Sequence, residues 1–413
     1  MKKTRIISLL MSVVMAFTAI FPTFITYTES HAVDSVINVA EHTPQEIKQY
    51  IDSHQFSTSV SNKFTSEPST SYPYSAGSLD DETLQNALNS LNCMRYIAGL
   101  QEVSLNSEYN ELAQYASLVD CVNNVLTHAP EQPEDMPADI FQLGATGAGS
   151  SNMCFSTIRN IAHTVIGYMN DSDSSNISRL GHRRWCLNPD MKKTGFGAVD
   201  RYSAMYVFDH GRAGATEKRV CWPAQNMPTE YFSSYVAWSI SMGENLSKYD
   251  IKVNLTRKSD LKEWNFNENS ADGDFYVDNS YYGQRGCIIF RPSNISYSSG
   301  DVFDVRIEGM DEPVEYTVNF FSLSEVMDES GAASLGDVNN DGFVDASDAS
   351  AVLAEYSSLS TNKVSALNEM QKKTADVNFD EIIDSRDAST ILEFYSYLST
   401  SNDNISMEEW IFL

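Results

Sequence analysis

Apolar residues recur at helical spacing early in the chain. Leu84, Leu88, Leu91 and Ala98 trace one face of a helix that opens at Asp80 or Asp81 and stops at Gly99. Tyr109, Leu112, Ala116, Val119 and Val122 trace a second, and residues 156–169 predict a third. Upstream, Thr43, Pro44 and Glu46 ahead of Ile47, Tyr50 and Ile51 predict a short capped helix. Residues 57–78 have the Ser, Thr, Pro and Tyr content of a linker, and residues 130–152, rich in proline and then glycine, read as irregular. Strands are predicted at 195–199 and 204–208, in a strand-rich stretch entered through 181–188. Beyond residue 225 the apolar period shortens to two. Runs at 235–240, 251–255, 287–290, 302–307 and 314–321, separated by polar turns, predict a small β-sandwich. Past an acidic, small-residue connector at 324–335, helical spacing returns. Val352, Leu353, Tyr356 and Leu359 form one stripe and Ile391, Leu392, Tyr395 and Leu398 another, each read as a buried face.

The amino terminus has a different pattern. Lys2, Lys3 and Arg5 precede an apolar stretch from Ile6 to about Thr26, and Ser30, His31 and Ala32 offer a small-x-small cleavage site. That layout predicts a signal peptide over 1–32, and hence export, against the alternative of an uncleaved anchor just long enough to span a bilayer. No other long apolar run follows, so the mature chain is expected to have no membrane span. The remaining ~380 residues exceed one ordinary domain. A formal net charge of −28 excludes nucleic acid as a partner, because phosphate binding needs the opposite sign. Cys93, Cys121, Cys154, Cys186, Cys221 and Cys287 permit three disulfides in an exported chain or stand as buried thiols; spacing alone does not choose.

The acidic excess is functional at the C-terminus, where one motif occurs twice. Asp337, Asn339, Asp341, Asp345 and Asp348 stand at positions 1, 3, 5, 9 and 12 of one loop, and Asp376, Asn378, Asp380, Asp384 and Asp387 repeat that spacing in a second. This is the oxygen-donor spacing of an EF-hand calcium loop. Position 7 is apolar in both, Phe343 and Ile382, which suits a ligand offering only its backbone carbonyl. Two calcium sites are predicted. Position 6 is Gly342 in the first loop and Glu381 in the second. A turn with positive φ costs a non-glycine residue on the order of 1 kcal/mol, so the second site is expected to be weaker. Each loop leads into a helix and neither follows a long one, so two half-hands must pack together to bury their stripes. Calcium then supplies part of the folding free energy. The module over 336–413 resembles the type I dockerin, which plugs proteins into the cohesins of a cellulosome scaffold. The resemblance implies a cohesin partner, recognised through the following helix and loop positions 10 and 11, here Ala346 and Ser347, then Ser385 and Arg386. The two pairs differ in size and charge, so a single binding orientation is expected.

Upstream, Leu126, Thr127 and His128, the run 147–152, Gly181 and His182 through Asn188 and Pro189, and then Gly195 and Gly197 resemble a bacterial CAP domain of the SCP-like extracellular family. The resemblance implies an α-β-α sandwich with a central cleft faced by two histidines, here His128 and His182. Many such domains complete the cleft with two glutamates. This chain has Gly149, Ser150, Ser151 and Asn152 in one place and Asn170 and Asp171 in the other, leaving Asp171, Glu131 or Asp139 to substitute. Two imidazoles alone would hold zinc weakly, since durable protein sites have three or four ligands. Ser150 and Ser151 lack the Gly-x-Ser-x-Gly elbow of a nucleophile. Arg183, Arg184 and Trp185 read as a packed strand start with snorkelling arginines. Trp222, Tyr231, Phe232, Tyr235, Trp238 and Trp264 read as β-core in preference to a carbohydrate platform, and His163 as a partly buried helix residue. His42, His54 and His210 show no partner in the sequence.

The expected architecture is multidomain: a signal peptide (1–32), an N-terminal segment and linker (33–79), an α/β CAP-like domain (80–225), a small β-sandwich (226–323), a linker (324–335) and an all-α dockerin with two calcium half EF-hands (336–413). The expected function is that of a secreted, cellulosome-attached protein. Its CAP-like domain would bind a polysaccharide, peptide or lipid ligand as an accessory module in plant polysaccharide breakdown. The alternative is a hydrolase acting on peptide or glycan through His128 and His182. The sequence leaves open whether the chain is an enzyme.

Overall fold

A computed structural model describes residues 37–326, 334–339, 342–361, 365, 367–401 and 405–412. The signal-peptide reading of 1–32 and the loop residue Asp341 lie outside the described residues, as does most of the connector. Thr43 caps the helix Pro44–Ser53, and Glu46 closes the capping box as its spacing predicts. The segment read as a linker is tied down by strand pairing, Phe64–Ser66 running antiparallel to Ser78–Leu79. Asp80 caps the helix Asp81–Ile97, which buries Leu88, Leu91 and Met94. Asn106 and Asn160 cap the helices Ser107–Asn123 and Ile161–Asn170; the second starts later than residue 156 because Asn160 takes the His163 N–H and sets the first turn there.

A four-stranded sheet, in the order Ser104–Leu105, Lys193–Val199, Tyr202–Tyr206, Ser151–Phe155, lies among these helices. On one face Phe196, Ala198 and Met205 join the core of Asp81–Ile97 and Ile161–Asn170. On the other, Met153 and Ala204 meet Ala113, Ala116 and Ala148. A Cβ at Gly195 or Gly197 would lie 2.2 Å from backbone atoms of Ser107–Asn123, so only glycine lets that helix lie on the strand. Two sequence readings change here. Residues 130–152 form the helix Ala138–Gly149 and the strand Ser151–Phe155 instead of an irregular stretch. Glycine masked the helix: a Cβ at Gly147 would come within 2.0 Å of the Leu112 carbonyl, so the residue serves close packing of two helices. Residues 181–186 form a short helix, Gly181–Cys186, not a strand start.

Two more sheets follow. Gly273–Asp278, Cys287–Pro292, Trp238–Ser241 and Val220–Trp222 form one. The other joins Lys262–Asn267, Lys252–Arg257, Val302–Glu308 and Val314–Phe321, with a short strand at each edge. They close on aromatic rings: Trp238 lies 5.8 Å from Phe303 and Phe266 lies 5.2 Å from Phe290, centroid to centroid. Trp222, Phe232, Trp238 and Trp264 are buried, as the core reading has it, while Tyr235 is exposed. Val302–Glu308 alternates buried and exposed residues, whereas Cys287–Pro292 is buried almost throughout. The reason is a cover on its outer side, where Ile177 and Leu180 pack on Ala237, Cys287 and Ile289. The first sheet begins at Val220, and one continuous apolar core runs from Leu91 and Val165 to Trp238 and Phe320.

The C-terminal helices Ala346–Ser360, Glu369–Ala375, Ser385–Thr400 and Met407–Ile411 have a separate core that includes Val338, Val352, Val377, Ile391, Phe394 and Met407. Here the buried faces differ from the expected stripes. Leu353, Tyr356, Leu359, Leu392 and Tyr395 are each more than two-fifths exposed. Ala349 with Val352, and Ala388 with Ile391 and Phe394, point inward at i, i+3 spacing, which leaves the i+1 residues about 100° away toward solvent. All six cysteines are free thiols. Among the described residues no helix is long and apolar enough to cross a membrane.

Candidate functional site

His182 opens the short helix Gly181–Cys186, and Asp171 closes the helix Ile161–Asn170 in the left-handed conformation with φ 39°. The two ends meet. Asp171 Oδ1 lies 2.8 Å from His182 Nδ1, and its Oδ2 accepts the His182 backbone N–H at 2.9 Å. Nδ1 therefore carries the proton shared with the carboxylate, and Nε2 is the ring atom that can face a ligand. Tyr168 stacks on the ring at 5.3 Å, and its hydroxyl donates to the Asn152 carbonyl. Asn152 Nδ2 donates in turn to the His182 carbonyl at 3.0 Å. Of the three carboxylates named as substitutes, Asp171 is the one that reaches a histidine. Tyr168 escaped the sequence reading because its helical spacing marks it as core, which it also is.

His128 follows the turn after Ser107–Asn123. Its Nδ1 lies 2.9 Å from the Ala148 carbonyl, so it is likewise held through Nδ1. Ser150 Oγ donates to the Thr146 carbonyl, which leaves it tied to its own helix and not to an imidazole. Among the described residues no three His, Cys, Asp or Glu side chains converge to hold a metal, so the cleft gathers no zinc set. Asp120 supports the His128 turn by accepting the Thr127 N–H at 2.9 Å. Its other oxygen, Oδ1, is buried without a hydrogen-bond partner, and burial pushes the carboxyl up to about 6. The folded-state value lies above the unfolded one, so the penalty is absent below about pH 4, grows through pH 6 and is complete above it. Asp120→Asn should therefore be more favourable to stability at pH 7 than at pH 4 relative to the parent, in denaturant melts at the two pH values.

The arginines after His182 do not snorkel. Arg183 is fully buried, and it donates to the carbonyls of Met169, Asn170 and Ala237 and to Ser239 Oγ. Arg184, also buried, pairs with Asp278 at 2.5 Å and donates to the carbonyls of Ser280 and Gln284. A helix start brings both guanidiniums inward, where a strand would have turned one out. Together they fasten the turn that carries Asp171 and His182 to the sheet of Trp238–Ser241 and the loop before Cys287–Pro292. His42 and His54 find partners too: His42, Tyr96, Tyr50 and His54 stack in one column, with centroid spacings of 3.8, 4.0 and 4.1 Å.

In the C-terminal loops the acidic side chains turn inward onto the loop backbone. Asp348 accepts the N–H groups of Val338, Asn339 and Asp345, and Asp387 accepts those of Val377, Asn378 and Asp384. Asp337 takes the Gly342 N–H and Asp376 that of Glu381. Position 6 has positive φ in both loops, 88° at Gly342 and 64° at Glu381, and Phe379 adds a second left-handed residue at 59° in the second loop. Phe343 and Ile382 leave their side chains largely exposed. The donors are all hard oxygens, and burial together with the charges of Asp376 and Asp384 pushes the Asp387 carboxyl up. Oxygen donors of this kind are those calcium takes, but as the loops stand no three of the described carboxylates converge on one point.

One feature separates the loops. Arg386 Nη2 lies 2.7 Å from Asp380 Oδ2 and 2.8 Å from Asp384 Oδ2, so a guanidinium already pairs with positions 5 and 9. Ser347 stands at the same place in the first loop and carries no charge. Arg386→Ser should tighten calcium binding at the second loop roughly tenfold while leaving the first unchanged, as read by calorimetric titration. A fall in affinity would show that the guanidinium helps shape the loop instead of competing for it.

Residues 335–393 match the family model described as dockerin type I domain, and residues 88–209 match that of the cysteine-rich secretory protein family, CAP. The chain thus carries both domains. The first implies a cohesin partner and calcium in general. No curated protein matches the chain.

Proposed function

We propose that this protein, with a CAP domain and a type I dockerin in one chain, is an exported cellulosome component that takes part in plant polysaccharide breakdown as an accessory. The dockerin seats it on a cohesin. The CAP domain and the adjoining sheets are the part carried, with His128 and His182 contacting a ligand through Nε2. The observation that supports docking is the outward face of the paired helices. Leu353, Tyr356, Leu392 and Tyr395 are exposed in twin positions, beside the exposed Ala346, Ser347, Ser385 and Arg386. An apolar face rimmed by polar residues marks an interaction surface.

When bound, calcium supplies the positive charge that neutralises the loop carboxylates and adds folding free energy to a module with a small core. The chain's own residues fix the rest. Asp345 and Asp384 cap the two recognition helices, each in a reciprocal capping box with Asp348 or Asp387. Arg386 is charged and Ser347 is not, which favours one cohesin orientation over its two-fold alternative. The test is calorimetric titration of the full chain with cohesins in calcium and in chelator. Tight binding that falls at least a hundredfold with chelator is expected. Exchanging Ala346 and Ser347 with Ser385 and Arg386 should invert which helix contacts the cohesin. Indifference to every cohesin offered would overturn the reading.

A further inference from the structure

We propose that the cavity between residues 64–79, the helix Ser107–Asn123 and the strand Lys193–Val199 binds a neutral saccharide of one or two rings. Its volume is about 370 Å³, at the small end of the ~300–1,000 Å³ range of ligand sites. The lining divides by chemistry. Its apolar lining residues are Leu79 and Phe196, both buried, and the half-buried Leu84, which is the one with surface for the C–H face of a sugar ring. Ser78, Ser107, Asn110 and Tyr115 make a wall of groups that hydrogen-bond hydroxyls. Neither His128 nor His182 lines it, so the site is separate from the cleft.

The walls are fixed before any ligand arrives. Gln114, buried beneath the cavity, donates to the carbonyls of Ala76 (2.7 Å) and Ala198 (2.8 Å) and accepts the Ala198 N–H. That clamps residues 64–79 to the helix and the strand. Asn110 Oδ1 accepts the Phe196 N–H at 2.9 Å, which orients the amide and leaves its N–H₂ for the cavity. Gly77 turns the segment back with φ 66°, where a Cβ would lie 2.5 Å from the Ser66 carbonyl oxygen. A rigid pocket loses little ordering entropy on binding, which matters for a small ligand with few contacts.

Charge selects the class. No cationic side chain lines the cavity, and its one ionisable carboxylate, Glu111, stands at the exposed rim. A chain of net charge −28 with that carboxylate at the mouth repels acidic sugars and accepts neutral ones. The ring chemistry comes from the lining, while its biological setting in glycan breakdown rests on the proposed function.

The test is titration of the full-length chain with cellobiose, xylobiose and digalacturonate, read by calorimetry and by tyrosine fluorescence. Saturable binding of a neutral disaccharide is expected, with digalacturonate at least tenfold weaker. Ser78→Trp, a change at an exposed strand residue, should close the mouth and weaken binding more than tenfold. Glu111→Gln should narrow the gap between neutral and acidic sugars, and decides the matter if the tryptophan variant fails to fold. The proposal is overturned by the absence of saturable binding, by equal binding in Ser78→Trp, or by digalacturonate binding as well as the neutral sugars. Cohesin capture on the same preparation separates the two readings: capture without sugar binding removes this site alone, and failed capture removes the docking role.

Discussion

Arg183→Met is expected to destabilise the CAP domain and the sandwich together, by about 3–5 kcal/mol, within one calorimetric transition. Methionine nearly matches the arginine stem in volume but offers no donors. The carbonyls of Met169 and Asn170 on one side, and of Ala237 on the other, would then lose N–H partners held at 2.6–2.8 Å. Each orphaned buried acceptor costs about 1–3 kcal/mol. Burial lowers the guanidinium only to about 10, so it stays charged at neutral pH and its hydrogen bonds are the stronger, charge-assisted kind. Because these acceptors belong to the Asp171 turn and to the strand Trp238–Ser241, both should melt earlier. Two resolved transitions in the parent protein, with only one of them shifted in the variant, would sink the idea.

Asp348→Ala should unfold the C-terminal module even in saturating calcium. Asp348 is fully buried and satisfies three backbone N–H groups, those of Val338 (2.8 Å), Asn339 (3.0 Å) and Asp345 (2.9 Å). Alanine leaves all three unpaired, at about 1–3 kcal/mol each, and removes a proposed calcium donor as well. A core as small as the one around Val352 and Ile391 has little stability in reserve. Loss of the module's helical circular dichroism and of cohesin binding is the expected result. Asn339→Ala, at an exposed position, is the comparison: it should weaken calcium binding and keep the fold. Retained helicity and cohesin affinity in Asp348→Ala would mean that the position 12 carboxylate is dispensable.

The repeat was the most legible part of this chain, because its loop spacing fixes backbone turns and side-chain direction position by position. Positive φ at Glu381 and the inward turn of Asp348 and Asp387 both follow from loop position. The helix faces were harder. A stripe at i, i+1, i+4 spans a wide arc, and only packing reveals which edge is inside; Val352 is buried while Leu353 is not. Upstream, Asp80 and Thr43 announced helix starts through local hydrogen bonds that any reading of the sequence can find. The helix Ala138–Gly149 stayed hidden, since its glycines answer to close packing on the preceding helix, Ser107–Asn123, and not to a local pattern of their own. The same non-local logic concealed Arg183 and Arg184. Their partners lie 54 and 94 residues away, at Ala237 and Asp278, and no local pattern records them. The Asp171 contact with His182 needed two helix ends to meet, which is a tertiary event.

The separate core of the last four helices has an engineering corollary. Because Val352, Ile391 and Met407 complete their packing among themselves, the tail from Leu335 onward should be graftable onto unrelated cargo with its grip on a scaffold intact. The upstream portion should resist similar surgery: a cut near residue 225 would strip Arg183 of Ala237 and bare the aromatic face beneath it.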